Sequence, residues 1–204
     1  MMTVRTLTLT PPTPSRKEIL RYAGERGDAS YGTVLDECIA EALSHLSYRV
    51  SYAVFPIRRT EAGLDLGFMQ TASSGLAKCL SPFDHVLVLG ATLGHAYDRL
   101  LMRASASSAL RSLFFDAIGA ERIEALCDTF CAKAAQEYES TGGALGKRYS
   151  PGYGDLPLAV QKDIFRVMDF PRHIGLTLNE SLLMTPRKSV TAFVGVRLGT
   201  SRTE

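Results

Sequence analysis

The chain has 204 residues, 46% hydrophobic and 22% charged, with 23 Lys and Arg against 21 Asp and Glu for a net charge of +2. This is the composition of an ordinary soluble globule with enough length to bury one core, and no basic run gathers to suit nucleic acid or an anionic surface. No apolar run approaches the roughly 20 residues that span a bilayer, and the Thr- and Pro-rich start lacks a signal-peptide hydrophobic region, so no membrane role and a cytoplasmic location are expected.

Taken in order, residues 1–14, with Pro11, Pro12 and Pro14, read as an extended N-terminal arm on the surface or against a partner, because proline disfavours helix in the residue before it. Residues 15–204 read as one domain. Ser15 and Glu18 form a capping-box pattern that predicts a helix from Arg16 to near Gly24. A second helix is expected over 33–47, with Leu35, Ile39, Ala42, Leu43 and Leu46 on one stripe. Segments 48–57 and 63–69, separated by polar 58–62, read as an antiparallel hairpin. Residues 73–80 suit a short helix, and the apolar run 84–90 suits a strand buried on both faces.

Gly90 to Gly94 then forms a strand-to-helix turn, with a helix starting near His95. A phosphate cradle is the sharper reading of that turn, but it lacks both the Lys-Ser/Thr of a Walker loop and dinucleotide glycine spacing. From 105 to 140 the pattern is helical, with Leu110, Phe114, Ala117, Ile123, Leu126, Phe130 and Ala134 facing the core and Gly119 as a candidate break. Asp116, Glu124 and Asp128 on this helix read as a solvated face, with carboxylates near a cationic ligand as the alternative. Residues 141–146 read as a flexible loop.

The loop delivers Arg148-Tyr149-Ser150-Pro151-Gly152-Tyr153-Gly154-Asp155-Leu156-Pro157. Pro151-Gly152 suits the centre of a type II turn, since proline presets the first φ and glycine accepts a positive second φ. A guanidinium and two phenols flank peptide groups exposed by that turn, which are parts of a ligand site. Asp155 and Pro157 read as the cap and first turn of the next helix. That helix is expected over 160–170, ending near Phe170-Pro171; 174–179 reads as a strand, and 189–198 alternates as another, with Val190, Ala192, Val194, Val196 and Leu198 on one face. The tail 199–204 is expected to fray. The fold class is therefore α+β, a single domain of helices packed against a mixed or antiparallel sheet.

Four cysteines, Cys38, Cys79, Cys127 and Cys131, are too sparse for a disulfide framework and are expected reduced. Cys127 and Cys131 stand four apart and could share a metal, but no CxxC or partner His accompanies them, so buried packing is favoured. No Gly-x-Ser-x-Gly elbow exists, and His45, His85, His95 and His173 have no partner pattern. The signal is for binding, and no catalytic residue is assigned.

The 148–155 turn, with Val160-Gln161-Lys162-Asp163-Ile164, the segment from His173 through Gly175, Leu178, Asn179 and Glu180-Ser181, and Met184 to Val190, resembles the activation domain of cobalamin-dependent methionine synthase. That family carries an Arg-x-x-Pro-Gly-Tyr turn followed by Gly-x-x-Leu-x-Glu-Ser. Residues 15–22 and 90–94 resemble its free-standing members. The resemblance implies an S-adenosylmethionine-binding reactivation subunit acting in trans, as part of a methyltransferase reaction, on a separate methionine synthase core that carries cobalamin; a flavodoxin-like or other donor would supply the electron. Arg148 would hold the ligand carboxylate, Ser150 and Gly152 would supply turn backbone, Tyr153 would face the corrinoid, and Glu180 would be a further ligand contact. The sequence departs from the family at Tyr149, which replaces a proline, at Gly154-Asp155, and in ending soon after Leu198, where the fused domain continues into a strand with a ligand-contacting tyrosine. No Asp-x-His-x-x-Gly cobalamin motif is present. Two alternatives stand beside this: a module that docks on a corrinoid protein without S-adenosylmethionine, and a nucleotide or small-molecule enzyme using the Gly90 to Gly94 turn.

Overall fold

The most apolar stretch of the sequence becomes the axis of a sheet. Strand β6 (His85–Thr92) is buried at every position after His85. It is flanked by β2 (Arg49–Pro56) and β10 (Ser189–Arg197), both antiparallel to it. The edges are β1 (Arg5–Thr8), paired with β2, and β7 (Ala144–Tyr149), paired with β10, for the order β1-β2-β6-β10-β7. The structure, a computed structural model, describes residues 3–24 and 31–199.

Because strand side chains alternate between faces, β6 feeds two cores. Leu87, Leu89 and Ala91 join one with Val194 and Val196 of β10, covered by α1 (Arg16–Tyr22), α2 (Gly32–Leu43), α4 (His95–Ser107) and the long α5 (Ala109–Glu139). Val86 and Val88 join the other with Phe193, covered by α3 (Ser74–Cys79), α6 (Gln161–Met168) and α7 (Phe170–Ile174). A small sheet of β3 (Arg58–Thr60), β4 (Gly63–Asp65) and β5 (Gln70–Thr71) lies with this second core through Leu64. The fold is α+β with an antiparallel central sheet, and helices cover both of its faces. Among the described residues no helix is long and apolar enough to cross a membrane.

Several local expectations are replaced by longer-range pairing. Residues 5–8 of the expected arm form an edge strand. The hairpin between 48–57 and 63–69 does not form, because both edges of β2 are taken by β1 and β6 and residues 58–71 pair among themselves. Helix α2 ends at Leu43, which is exposed, and Leu46 lies beyond it. The helical run breaks at Ser108, whose hydroxyl caps α5 by accepting from Arg111 N at 3.3 Å, and not at Gly119. Gly119 is instead a close-packing position: a Cβ there would lie 2.7 Å from Tyr97 Cε1.

After the turn, a 3-10 turn at Leu158–Val160 leads into α6, and Pro171 falls in the first turn of α7, where a missing N–H costs little. Ile174 closes α7, so the expected strand 174–179 shrinks to β8 (Thr177–Leu178), paired with β9 (Met184–Thr185). Of the tail expected to fray, 200–204 lies outside the described residues.

At the start of α1, Ser15 Oγ accepts from Glu18 N at 3.4 Å, as the cap predicts. Its own N–H, however, donates to Glu121 Oε1 at 3.1 Å, not to Glu18. Glu121 also pairs with Arg122, which is 1% exposed and donates to the Pro12 carbonyl. This buried ion pair fastens residues 12–15 to α5.

Candidate functional site

Strand β7 carries the Arg148 to Pro157 turn out of the edge of the sheet, where among the described residues it pairs only with β10. Their register runs Phe193↔Tyr149 and Val194↔Arg148, then shifts between Val194 and Val196. Gly195 at that irregularity admits the Phe83 ring; a Cβ there would lie 2.1 Å from Phe83 Cδ2. The strand then bends as expected. Tyr153 N donates to Ser150 O at 3.1 Å, and Gly152 has φ +86, the positive value that a type II turn demands of its third residue. Two more bonds close the loop, Gly152 N to Leu156 O at 2.9 Å and Leu156 N to Tyr153 O at 3.0 Å. Leu156 is buried beneath it, while Tyr153 is 69% exposed.

Asp155 does not cap the helix that follows it. Its carboxylate accepts from Ser73 Oγ (2.5 Å), Ser74 N (2.6 Å), Ser74 Oγ (2.9 Å) and Gly75 N (3.1 Å), all at the start of α3. These bonds, led by the Ser73 and Ser74 hydroxyls, hold the Asp155 carboxyl down at about 2. The reason is reach: the turn folds back toward α3, whose first amides need an acceptor as much as those of the next helix do.

Arg148 points to α5. Its Nη2 donates to Glu124 Oε2 and Asp128 Oδ1, both at 2.8 Å. Spaced four apart, the two acids share a helix face. Asp116 pairs with Lys188 Nζ at 2.9 Å, so the three acids lie on the solvated face expected, with side chains 58%, 44% and 74% exposed, and each also meets a cation of the chain itself. Burial works against the charge on Arg148, but Cys127, Glu124 and Asp128 outweigh it and raise its affinity for the proton. Burial pushes the Cys127 thiol up to about 12 and that of Cys131 up to about 11, which leaves both protonated at neutral pH and poor as nucleophiles or metal ligands. All four cysteines are free, and among the described residues no cluster of His, Cys, Asp or Glu could hold a metal.

Arg148, Ser150 and Tyr153 line one cleft of about 580 Å³ with Tyr149, Glu124 and Asp128. Gly152 shapes the turn at its margin without lining it. Glu180 is not brought to this cleft. It lies beyond β8, in a separate hollow of about 870 Å³ with Lys162, Phe165 and Asp169. Glu124 and Asp128 are the cleft residues that the sequence leaves in the background; their i, i+4 spacing on the helix preceding an arginine motif is the available signal. The Gly90 to Gly94 turn is hydrogen-bonded to the surrounding chain and to itself: Leu93 N donates to Lys188 O, Gly94 N to Thr92 Oγ1, and Leu93 O accepts from Ser47 N. It is a strand-to-helix turn. His173 contributes its backbone carbonyl, which accepts from Arg49 Nη2 at 2.6 Å.

Residues 132–198 match the sequence pattern of the family described as vitamin B12 dependent methionine synthase, activation domain. The whole chain superposes on 81% of a solved chain, the MetH reactivation domain bound to AdoHcy, with a TM-score of 0.70 at 16% identity. At that identity the likeness is one of fold. No curated protein matches the chain.

Proposed function

We propose that this chain, which resembles the activation domains of vitamin B12-dependent methionine synthase in sequence over 132–198 and in fold throughout, binds S-adenosylmethionine and reactivates a separate cobalamin-carrying core. The observation that carries this reading is the cleft in which one guanidinium faces two carboxylates beside a peptide-rich turn. The amino-acid end of S-adenosylmethionine bears a carboxylate and an ammonium, and its sulfonium is a cation. Both contacts of Arg148 use Nη2, and the other N–H groups of the fork can meet a carboxylate in the bidentate manner that favours arginine. Glu124 and Asp128 suit the cationic groups. Ser150 and Gly152 offer turn backbone to the ligand, and the exposed Tyr153 ring offers a platform to an arriving corrinoid. AdoHcy, bound in the structurally similar MetH domain, is the demethylated product of this ligand.

The work of the chain's residues is positioning. Holding the sulfonium in one orientation against a docked partner makes methyl transfer effectively unimolecular. Cobalamin, carried by that partner, would supply the methyl acceptor, and a flavodoxin-like or other donor would supply the electron. Glu180, in its own hollow, is proposed as a more distant contact.

A second reading, a docking module without S-adenosylmethionine, is favoured by one observation: Arg148 is already paired with two carboxylates through Nη2 while Tyr153, on the same cleft, stands exposed. Calorimetry separates the two. Saturable heat with S-adenosylmethionine, and a stabilisation of about 2.7 kcal/mol at roughly 100 times the dissociation constant, support the first. No binding, with capture of the core retained, supports the second. The decisive assay follows conversion of cob(II)alamin to methylcobalamin by absorbance on the core protein with a reductant; equal rates with and without this chain refute reactivation.

A further inference from the structure

The turn that lines the cleft is fastened at a point outside the cleft. Asp155 does not appear among the residues of the cleft, yet its two carboxylate oxygens collect four donors from three consecutive residues, Ser73, Ser74 and Gly75, some eighty positions earlier in the chain. We propose that Asp155 is a positioning residue that clamps the Ser150–Leu156 turn to the start of α3 and so presets the backbone that meets the ligand.

Four further observations converge on the same clamp. The Tyr149 hydroxyl donates to Tyr153 O at 3.3 Å, bridging the two ends of the turn. That hydroxyl occupies a slot kept open by two glycines: a Cβ on Gly75 would lie 2.2 Å from it, and a Cβ on Gly154 would lie 2.7 Å from it. Gly154 also has φ +55, a conformation that side chains rarely adopt and that swings Asp155 toward α3. Ser73, finally, serves both sides, donating its hydroxyl to Asp155 while accepting from Leu76 N at 3.1 Å as the cap of α3. The turn, Tyr149 and the start of α3 are one hydrogen-bonded unit. Its consequence for binding is preorganisation: a turn already fixed loses less conformational freedom when a ligand arrives.

The chemistry is specific to a carboxylate. All four donors are hydroxyls or amides, so both oxygens must accept. Asparagine has nearly the same shape but turns an NH₂ group toward donors, and it should fail where a space-filling role would tolerate it. This inference rests on the ligand-site reading for its effect on affinity but not for the clamp itself.

The experiment therefore has two arms on wild type, Asp155→Asn and Ser74→Ala. The first measures amide hydrogen exchange without ligand at Gly152, Tyr153 and Leu156, with Val88 and Phe193 of the central sheet as internal controls. Release of the clamp predicts exchange faster by about tenfold or more at the turn in Asp155→Asn, about threefold in Ser74→Ala, and unchanged in the sheet. Turn exchange within about twofold of wild type in Asp155→Asn overturns the proposal. If sheet amides also accelerate, the milder Ser74→Ala decides, and no selective change at its turn overturns the proposal. The second arm titrates S-adenosylhomocysteine by calorimetry; a dissociation constant raised about tenfold in Asp155→Asn is expected, and unchanged affinity overturns the link to binding. A wild type that takes up no ligand refutes the proposed function while the exchange arm still judges the clamp.

Discussion

Arg148→Gln tests whether this side chain holds a ligand or only ties β7 to α5. The arginine is 22% exposed, and its partners Glu124 and Asp128 are 44% and 74% exposed, so solvent screens both pairs. Each such pair is worth about 0.2–1 kcal/mol. Their loss, with the two acids left to repel each other, predicts a stability decrease of about 1 kcal/mol, or a melting temperature lower by about 2–4 °C for a domain of this size. A charge-assisted bond to a ligand carboxylate is worth more, about 1.5–3 kcal/mol. That corresponds to affinity weakened roughly 10- to 150-fold. The assay pairs thermal unfolding with calorimetry against S-adenosylmethionine. A variant that melts a few degrees early yet binds within about twofold of wild type would show the arginine to be a strut, and the reasoning about the cleft would fail. Glu124→Gln is the natural companion: weakened binding supports an ammonium partner, whereas tightened binding shows that the acid competes with the ligand for Arg148.

Gly152→Val forces a β-branched residue to φ +86; ligand binding should be lost with the central sheet intact, and a variant that binds normally refutes the turn's role. Glu121→Ala leaves Arg122 buried without its carboxylate and removes the acceptor of Ser15 N, with an expected cost of about 3–5 kcal/mol in urea unfolding; a cost under about 1 kcal/mol would mean that water reaches the guanidinium. For Asp155, a native carboxyl held at about 2 lies below its unfolded value, so the clamp's contribution is complete above about pH 4 and is lost as pH falls through about 2. A carboxyl ¹³C titration by NMR checks this, and a midpoint near pH 4 refutes it.

The parts of the fold legible in the sequence were those whose cause is local. Ser15 caps its helix, the run of β6 is buried at every step after His85, and Pro151-Gly152 admits few backbone shapes. What could not be read was set by partners distant in sequence. Segments 48–57 and 63–69 look like a hairpin until β1 and β6 compete for both edges of β2, and nothing near Asp155 announces that its donors lie at Ser73 and Ser74. The site divides along the same line. Arg148, Ser150, Gly152 and Tyr153 were visible as one motif. The pairing of Arg148 with Glu124 and Asp128 required the packing of β7 on α5, and the separation of Glu180 required the short β8–β9 hairpin.

The order of strands in the central sheet also bears on how the cleft comes into being during synthesis. Among the described residues, strand β7 has its only ladder neighbour in β10, which lies between β7 and β6. Every residue of the turn, and both acids of α5, leaves the ribosome before residues 189–197 do, yet until those residues arrive β7 has no place in the sheet. The chain must wait for its last described strand before Arg148 can meet its helix from a fixed support. A nascent chain arrested at residue 185 would hold every residue that lines the cleft and still lack the strand that supports it.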